Sequence, residues 1–397
     1  MFRRLESGLP KDPVFPTDLE GLGYFINDKD QIKSIENPKA YFKFFLTKNE
    51  RYNSVQREAM NSMLTFQAAI NAIVHERLEK LGLEKIRLPL GSRPNEPHVP
   101  IFISKDIKTK KRVIILFYEH NQDLGVLAHR ILGGNGGINQ GSVVNLVKYI
   151  QSLPTSPENH ESPGIILANM GQLIWWRRGS RAVTQTTWLG LPQKSAVDAP
   201  CRLDPVKNTI PGNRSTEEHV SYIFDHVVEE LVDPAAMLDV IGVSDGAVKV
   251  SMFLDDHAKW MKWGPRMSAF AAVATYFHAG DIKNAHFADW MASRARVYLP
   301  SEEPCEVFIA GPNGRPRQKI PAHGCPCFSL GEPYYSEALL PKGFKVVLDW
   351  FQEVAQDPCY ANPGFVILDE EDDEEDEEDG GSEYEGAVEF KPIDQST

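Results

Sequence analysis

Apolar and polar positions along this chain follow two rhythms, and the changes of rhythm mark its elements. Between Gly23 and Ile35, two β-prone stretches flank Asn27-Asp28-Lys29-Asp30, a spacing that predicts a hairpin. From Asn53 to Leu83 apolar residues recur at helical spacing, among them Met60, Met63, Leu64, Ala68, Ile70, Ile73 and Leu78. This predicts one long helix, or two in succession, ended by Gly82. Beyond residue 99 short β-rich runs take over. Residues 99–104 and 112–118 flank a charged turn at 105–111. A Gly/Asn-rich loop, 133–141, leads into a helix near 142–152, and 164–169 reads as a buried strand.

A long irregular insertion, 171–213, rich in Trp and Arg, interrupts the pattern; loops of this length are usually functional or poorly ordered. Ser215-Thr216-Glu217-Glu218 is a capping-box pattern that opens a helix to about Val232. Strands are expected at 237–243, 268–277 and 306–310. Helices are expected at 246–257, 284–295 and 344–355. Alternating strands and helices with buried β-runs predict an α/β fold, a mainly parallel sheet with helices on both faces. The expected organisation is an N-terminal hairpin and helical segment (1–98) packed on a core (99–362), then a tail (363–397).

Charge changes the picture at the C-terminus. The formal net charge is −13, but 15 of the 55 acidic residues and only one of the 42 Lys and Arg lie from Asp369 onward. The remaining 40 acids and 41 bases leave the body at +1. Asp369 to Asp379 are eleven consecutive acids, a self-repelling run expected to be disordered. Neither part has the basic excess of a general duplex-binding protein. The five cysteines, Cys201, Cys305, Cys325, Cys327 and Cys359, are too sparse for a disulfide framework and point to a reducing compartment. Arg3 and Arg4 precede no apolar stretch, so no secretory signal is expected, and the longest apolar run, near 267–277, is too short to span a bilayer.

Chemistry enters at Gly242-Val243-Ser244-Asp245-Gly246, a G-x-S-x-G match between a predicted strand and a predicted helix. That context is a nucleophile elbow, which presents Ser244 at the top of an α/β-hydrolase-like sheet. A reactive serine needs a base and a group to orient that base. His323 is the only histidine beyond His286, and Glu303 or Glu302 would be the orienting acid in the order Ser, acid, His. His323, Cys325 and Cys327 also offer three metal ligands, but without the usual C-x₂₋₄-C spacing, so a Pro/Gly turn is the simpler reading. No metal or other cofactor is expected. Trp175-Trp176-Arg177-Arg178, with Arg181 and Trp188, either contact a partner or nucleobases, or pin the insertion to the core; pinning is the simpler reading.

Six stretches together resemble the Argonaute-binding protein two family of fungal silencing factors. They are FPTDLEGLGYFINDKDQI, FLTKNERYNSVQREAMN, IILANMGQLIWWRRG, NRSTEEHVSYIFDHVV, DVIGVSDGA and GCPCFSLGEPYYSEALLPKGFKVVLDWFQEV. They cover most of residues 14–355; similar domains occur in animal proteins and in some fungal class II histone deacetylases. The resemblance implies an α/β-hydrolase-like fold and a subunit of an Argonaute chaperone complex holding duplex small RNA in heterochromatin formation. The implied partners are an Argonaute and a companion subunit, with RNA contacted indirectly and a histone or deacetylase contact as a further implication. The implied location is the nucleus, with the cytoplasm second. The animal relatives imply a histidine shortly after Ser329-Leu330-Gly331; this sequence has Tyr335 at that place. The expectation is therefore a degenerate hydrolase. The alternatives are a serine esterase or amidase using Ser244, and a deacetylase-associated module. The acidic tail is expected to solubilise the protein or to occupy a basic partner surface in place of nucleic-acid phosphates.

Overall fold

The computed structural model describes residues 16, 18–39, 53–191 and 202–364. The first described elements are the expected hairpin, β1 (Tyr24–Ile26) and β2 (Ile32–Ser34), and one long helix, α1 (Asn53–Lys80). After α1 come β3 (Leu83–Leu88), β4 (Val99–Ser104) and β5 (Arg112–Phe117), then α2 (His129–Leu132), α3 (Gly137–Gly141), α4 (Val144–Ser152) and β6 (Gly164–Leu167). The stretch expected to be a Gly/Asn-rich loop thus contains the short helix α3. The insertion is not irregular throughout: it carries the hairpin β7 (Ile174–Trp176) and β8 (Arg181–Val183), and α5 (Gln185–Leu189).

Next are α6 (Thr216–Tyr222), a π-helical stretch (Ile223–Val228), α7 (Glu229–Leu231), β9 (Met237–Val243), α8 (Asp245–Asp255), α9 (His257–Trp263) and β10 (Met267–Val273). The chain continues with α10 (Ala285–Arg294), β11 (Ala295–Leu299), β12 (Phe308–Ala310), β13 (Cys327–Ser329) and α11 (Ser336–Gln356). Only half of the capping box forms at α6. Ser215 Oγ accepts from the Glu218 N–H, but the Glu218 carboxylate accepts from the Arg214 N–H instead of closing the box.

Nine strands form one sheet in the order β12-β13-β11-β10-β9-β5-β6-β4-β3. The run from β13 to β6 is parallel throughout; β12 and β4 are antiparallel to their neighbours. The mainly parallel sheet expected from the sequence is therefore present. Its strands are buried on both faces because alternate residues feed two cores. Ile114 and Leu116 of β5, with Ile241 and Val243 of β9, pack under α1, α4 and α11. Val113, Ile115, Phe117, Leu238 and Val240 pack under the α6–α7 run, α9 and α10. A division at residue 98 falls between β3 and β4, which pair over their whole length, so the segment before 99 contributes a strand to the core sheet.

Candidate functional site

Ser244 stands where β9 turns into α8. Its φ of 51° and ψ of −117° lie in a region that non-glycine residues avoid, at a cost of roughly 1–3 kcal/mol. The turn is held by the Ser244 N–H donating to the Val273 carbonyl of β10 at 2.8 Å, and by the Ser244 carbonyl accepting from the Ala247 N–H at 3.1 Å. The flanking glycines allow close approach. A Cβ at Gly242 would lie 2.5 Å from Ala247 Cα, and one at Gly246 would lie 2.3 Å from the Phe117 carbonyl oxygen. Gly246→Ala should therefore push α8 off the sheet and lower the unfolding free energy by about 1–3 kcal/mol, measured by urea denaturation. Gly280→Ala, at a position with nothing within 4 Å of the added carbon, is the matched control.

Among the described residues, none hydrogen-bonds Ser244 Oγ. His323 is buried, and its Nδ1 meets the Phe277 carbonyl oxygen at 2.7 Å, while its Nε2 has no hydrogen-bond partner. Burial holds its pKa below the usual histidine value. Glu303 is exposed; its backbone carbonyl, not its carboxylate, is engaged, accepting from Ser329 Oγ at 2.7 Å. Glu302 is exposed as well. The structure thus does not bring Ser244, His323 and Glu303 together. The physical reason is β13. That three-residue strand lies between His323 and α11, so His323 belongs to the loop before the strand and not to the loop after it.

The loop after β13 carries a different arrangement. Glu332 is 4% exposed, accepts the N–H groups of Tyr334 and Tyr335 at 2.9 and 3.0 Å, and is paired with Lys342. Burial raises its pKa, but the Lys342 bond and the two backbone donors outweigh that and leave it below the usual value. Tyr335 points its ring at Arg130, with 4.2 Å from the guanidinium carbon to the ring centre.

The elbow's other neighbour is Asp245. Tyr276 Oη donates to Asp245 Oδ1 at 2.8 Å, and His120 Nδ1 lies 3.9 Å from Oδ2. Desolvation, then that hydrogen bond and the nearby carboxylate charges, push the Tyr276 pKa up to about 12. In an elbow enzyme the N–H of the residue after the nucleophile helps to bind the oxyanion. In this chain that residue is Asp245, whose carboxylate is turned to Tyr276 and His120.

The insertion is pinned by its tryptophans. Trp175 is buried against the His98 ring and exchanges hydrogen bonds with Asn208 at 2.9 Å, and Trp188 is buried too. Trp176 is half-buried with Arg181 over its ring, while Arg177 and Arg178 are exposed at the hairpin tip. Asp369 and Asp379, and the tail expected to be disordered, lie outside the described residues. Among the described residues, no group of three His, Cys, Asp or Glu is placed to hold a metal, and no helix is long and apolar enough to cross a membrane. Sequence reasoning missed His219, whose ring joins two distant loops. Its Nε2 accepts the Asn169 N–H at 3.1 Å, and its Nδ1–H donates to Asn213 Oδ1 at 2.7 Å. Its only sequence signal is a histidine beside the apolar stripe of a capped helix.

Counted from β3 and leaving out β7, β8 and β12, the sheet runs 1-2-4-3-5-6-7-8 with the second strand antiparallel and the elbow after the fifth. That is an α/β-hydrolase fold, with a formed elbow and an unassembled triad. The Arb2 domain family model matches residues 15–305, and the chain belongs to that family. It is 30% identical over 372 residues to the cotranscriptional regulator ARB2A homolog of Xenopus tropicalis, covering 86% of this chain and 81% of that protein. It is 23% identical over 362 residues to the human cotranscriptional regulator ARB2A, covering 86% and 82%. Among solved structures it is similar to the esterase LipW from Mycobacterium marinum, at 10% identity over 78% of this chain and 90% of that one, with a TM-score of 0.31. The fold assignment rests on the strand order, not on that likeness.

Proposed function

We propose that this chain is a nuclear, non-catalytic regulatory subunit that acts through an Argonaute and its small RNA in RNA-mediated heterochromatin formation and gene silencing. The observation that carries the reading is a Ser244 elbow that no base among the described residues engages, in a chain similar to cotranscriptional regulators. The fold persists as a scaffold, and fold alone does not imply catalysis. Partners are an Argonaute and a companion subunit, with RNA held by them. The test is purification of the tagged chain from host nuclei at moderate salt. Recovery of an Argonaute with small RNA supports the reading. Recovery of neither an Argonaute nor chromatin enzymes contradicts it.

A serine hydrolase is the second reading, and the strained Ser244 backbone favours it. The two readings diverge on Ser244→Gly. On either reading glycine relieves the φ strain, net of its own backbone entropy, and stability rises by about 1 kcal/mol; the difference lies in function. If the serine does no chemistry, association with the Argonaute is unchanged. A loss of function with intact folding would favour the enzyme.

A further inference from the structure

We infer that the acidic run Asp369–Asp379 docks in cis on the lysine-rich turn between β4 and β5. The turn carries Lys105, Lys108, Lys110 and Lys111 with a single acid, Asp106, in seven residues. Lys110 is paired with Asp106 at 2.9 Å, and Lys111 is paired with Asp233. Lys105 and Lys108 are exposed, and no described acid pairs with either. Two ammonium groups that no described acid pairs, followed by two paired ones, make a site for an extended polyanion.

The described chain ends on the same edge of the sheet as that site. Residues 358–362 are strapped to the edge of the sheet where the parallel strands begin. Arg294 Nη2 donates to the Pro358 carbonyl at 2.8 Å, and Asn362 Nδ2 donates to the carbonyls of Ala292 and Ala295 at 3.0 and 2.8 Å. Ala295 opens β11 and Arg112 opens β5, immediately after the lysine turn. β5 and β11 are separated by β9 and β10, so three strand spacings, about 14 Å, divide them, with about 10 Å of stagger along the strands, and Lys105, which follows β4, lies two spacings, about 10 Å, further on. Asp369 lies five residues beyond Gly364, a reach of about 17 Å. The eleven acids extend about 37 Å further, enough to cross the turn without doubling back. The body is charged +1 against −14 for the stretch from Asp369.

Docking in cis makes the tail compete with any basic partner surface that would engage it. A carbodiimide, which fuses a lysine amine to a carboxylate in direct contact, reports the contact in the intact protein. Crosslinks from Lys105 and Lys108 to 369–379 are expected in the monomer. They should disappear at about 0.5 M salt, where the Debye length is about 4 Å. Mixing isotopically light and heavy chains must give same-chain crosslinks. Links only between copies, links spread over exposed lysines without preference for the turn, or no tail links at all would each overturn the inference.

Discussion

Asp239→Ala is expected to lower the unfolding free energy by about 3–5 kcal/mol, because it strands a buried guanidinium. Arg112 Nε donates to Asp239 Oδ2 at 2.6 Å, and both side chains are almost wholly buried. The remaining arginine donors reach the last helix, Nη1 to Gln352 Oε1 at 2.9 Å and Nη2 to the Phe351 carbonyl at 2.8 Å. One guanidinium thus ties β5, β9 and α11 together beneath the elbow strand. Removing the acid leaves the charge without its counterion, while burial already presses the Asp239 carboxyl above its usual pKa. Replacing both partners with apolar residues, Arg112→Met with Asp239→Leu, removes the charge problem and should recover most of the loss. Urea midpoints of the two singles and the double decide it. A double variant as unstable as the singles would mean that the arginine's bonds to α11 carry the energy.

The second large effect is acid lability above the carboxylate range. Burial holds His219 at a pKa of about 3. Burial, then the Lys85 charge, hold His75 at about 4, with a hydrogen bond to the Leu124 carbonyl working the other way. In the unfolded chain both take up a proton near 6.5, while the folded protein keeps both rings neutral. Stability is therefore full above about pH 6.5 and falls as the pH drops toward 4 and then 3, where the folded rings finally protonate. Integrated over that window each ring is worth on the order of 3–5 kcal/mol. Most carboxylates titrate below about pH 4.5, so the slope between pH 6.5 and 5 isolates the histidines. His219→Gln should flatten that slope by nearly one proton, whatever it costs at pH 7.5. An unchanged slope would mean that the Asn169–His219–Asn213 latch opens before the ring protonates.

The elements with strong periodicity were legible in the chain. The hairpin, α1 and β9 follow their patterns closely, and the elbow followed from two glycines placed between a strand and a helix. Three sheet strands were not. β3 is an edge strand whose interior residues Glu84, Lys85 and Arg87 face solvent, so it never reads as an apolar run. β11 follows α10 without a turn residue between them, and β13 is only three residues long. The first turns of α11 are hidden by Pro341. Missing β13 had the largest consequence, since it made His323 look like the residue before the final helix. The order of Ser244, Glu303 and His323 along the chain fits a triad, but order carries no distance. Only the fold shows His323 held to the Phe277 carbonyl. Likewise nothing in the sequence separates Trp175, which is buried, from its neighbour Trp176, which is half-buried.

The most direct measurement is labelling of the native protein with a fluorophosphonate probe, read by mass spectrometry at Ser244. A hydrolase fold without an assembled triad should show no more labelling than Ser244→Ala. Labelling of Ser244 that is lost both in Ser244→Ala and in a correctly folded His323→Ala would contradict it, and would make this chain an enzyme.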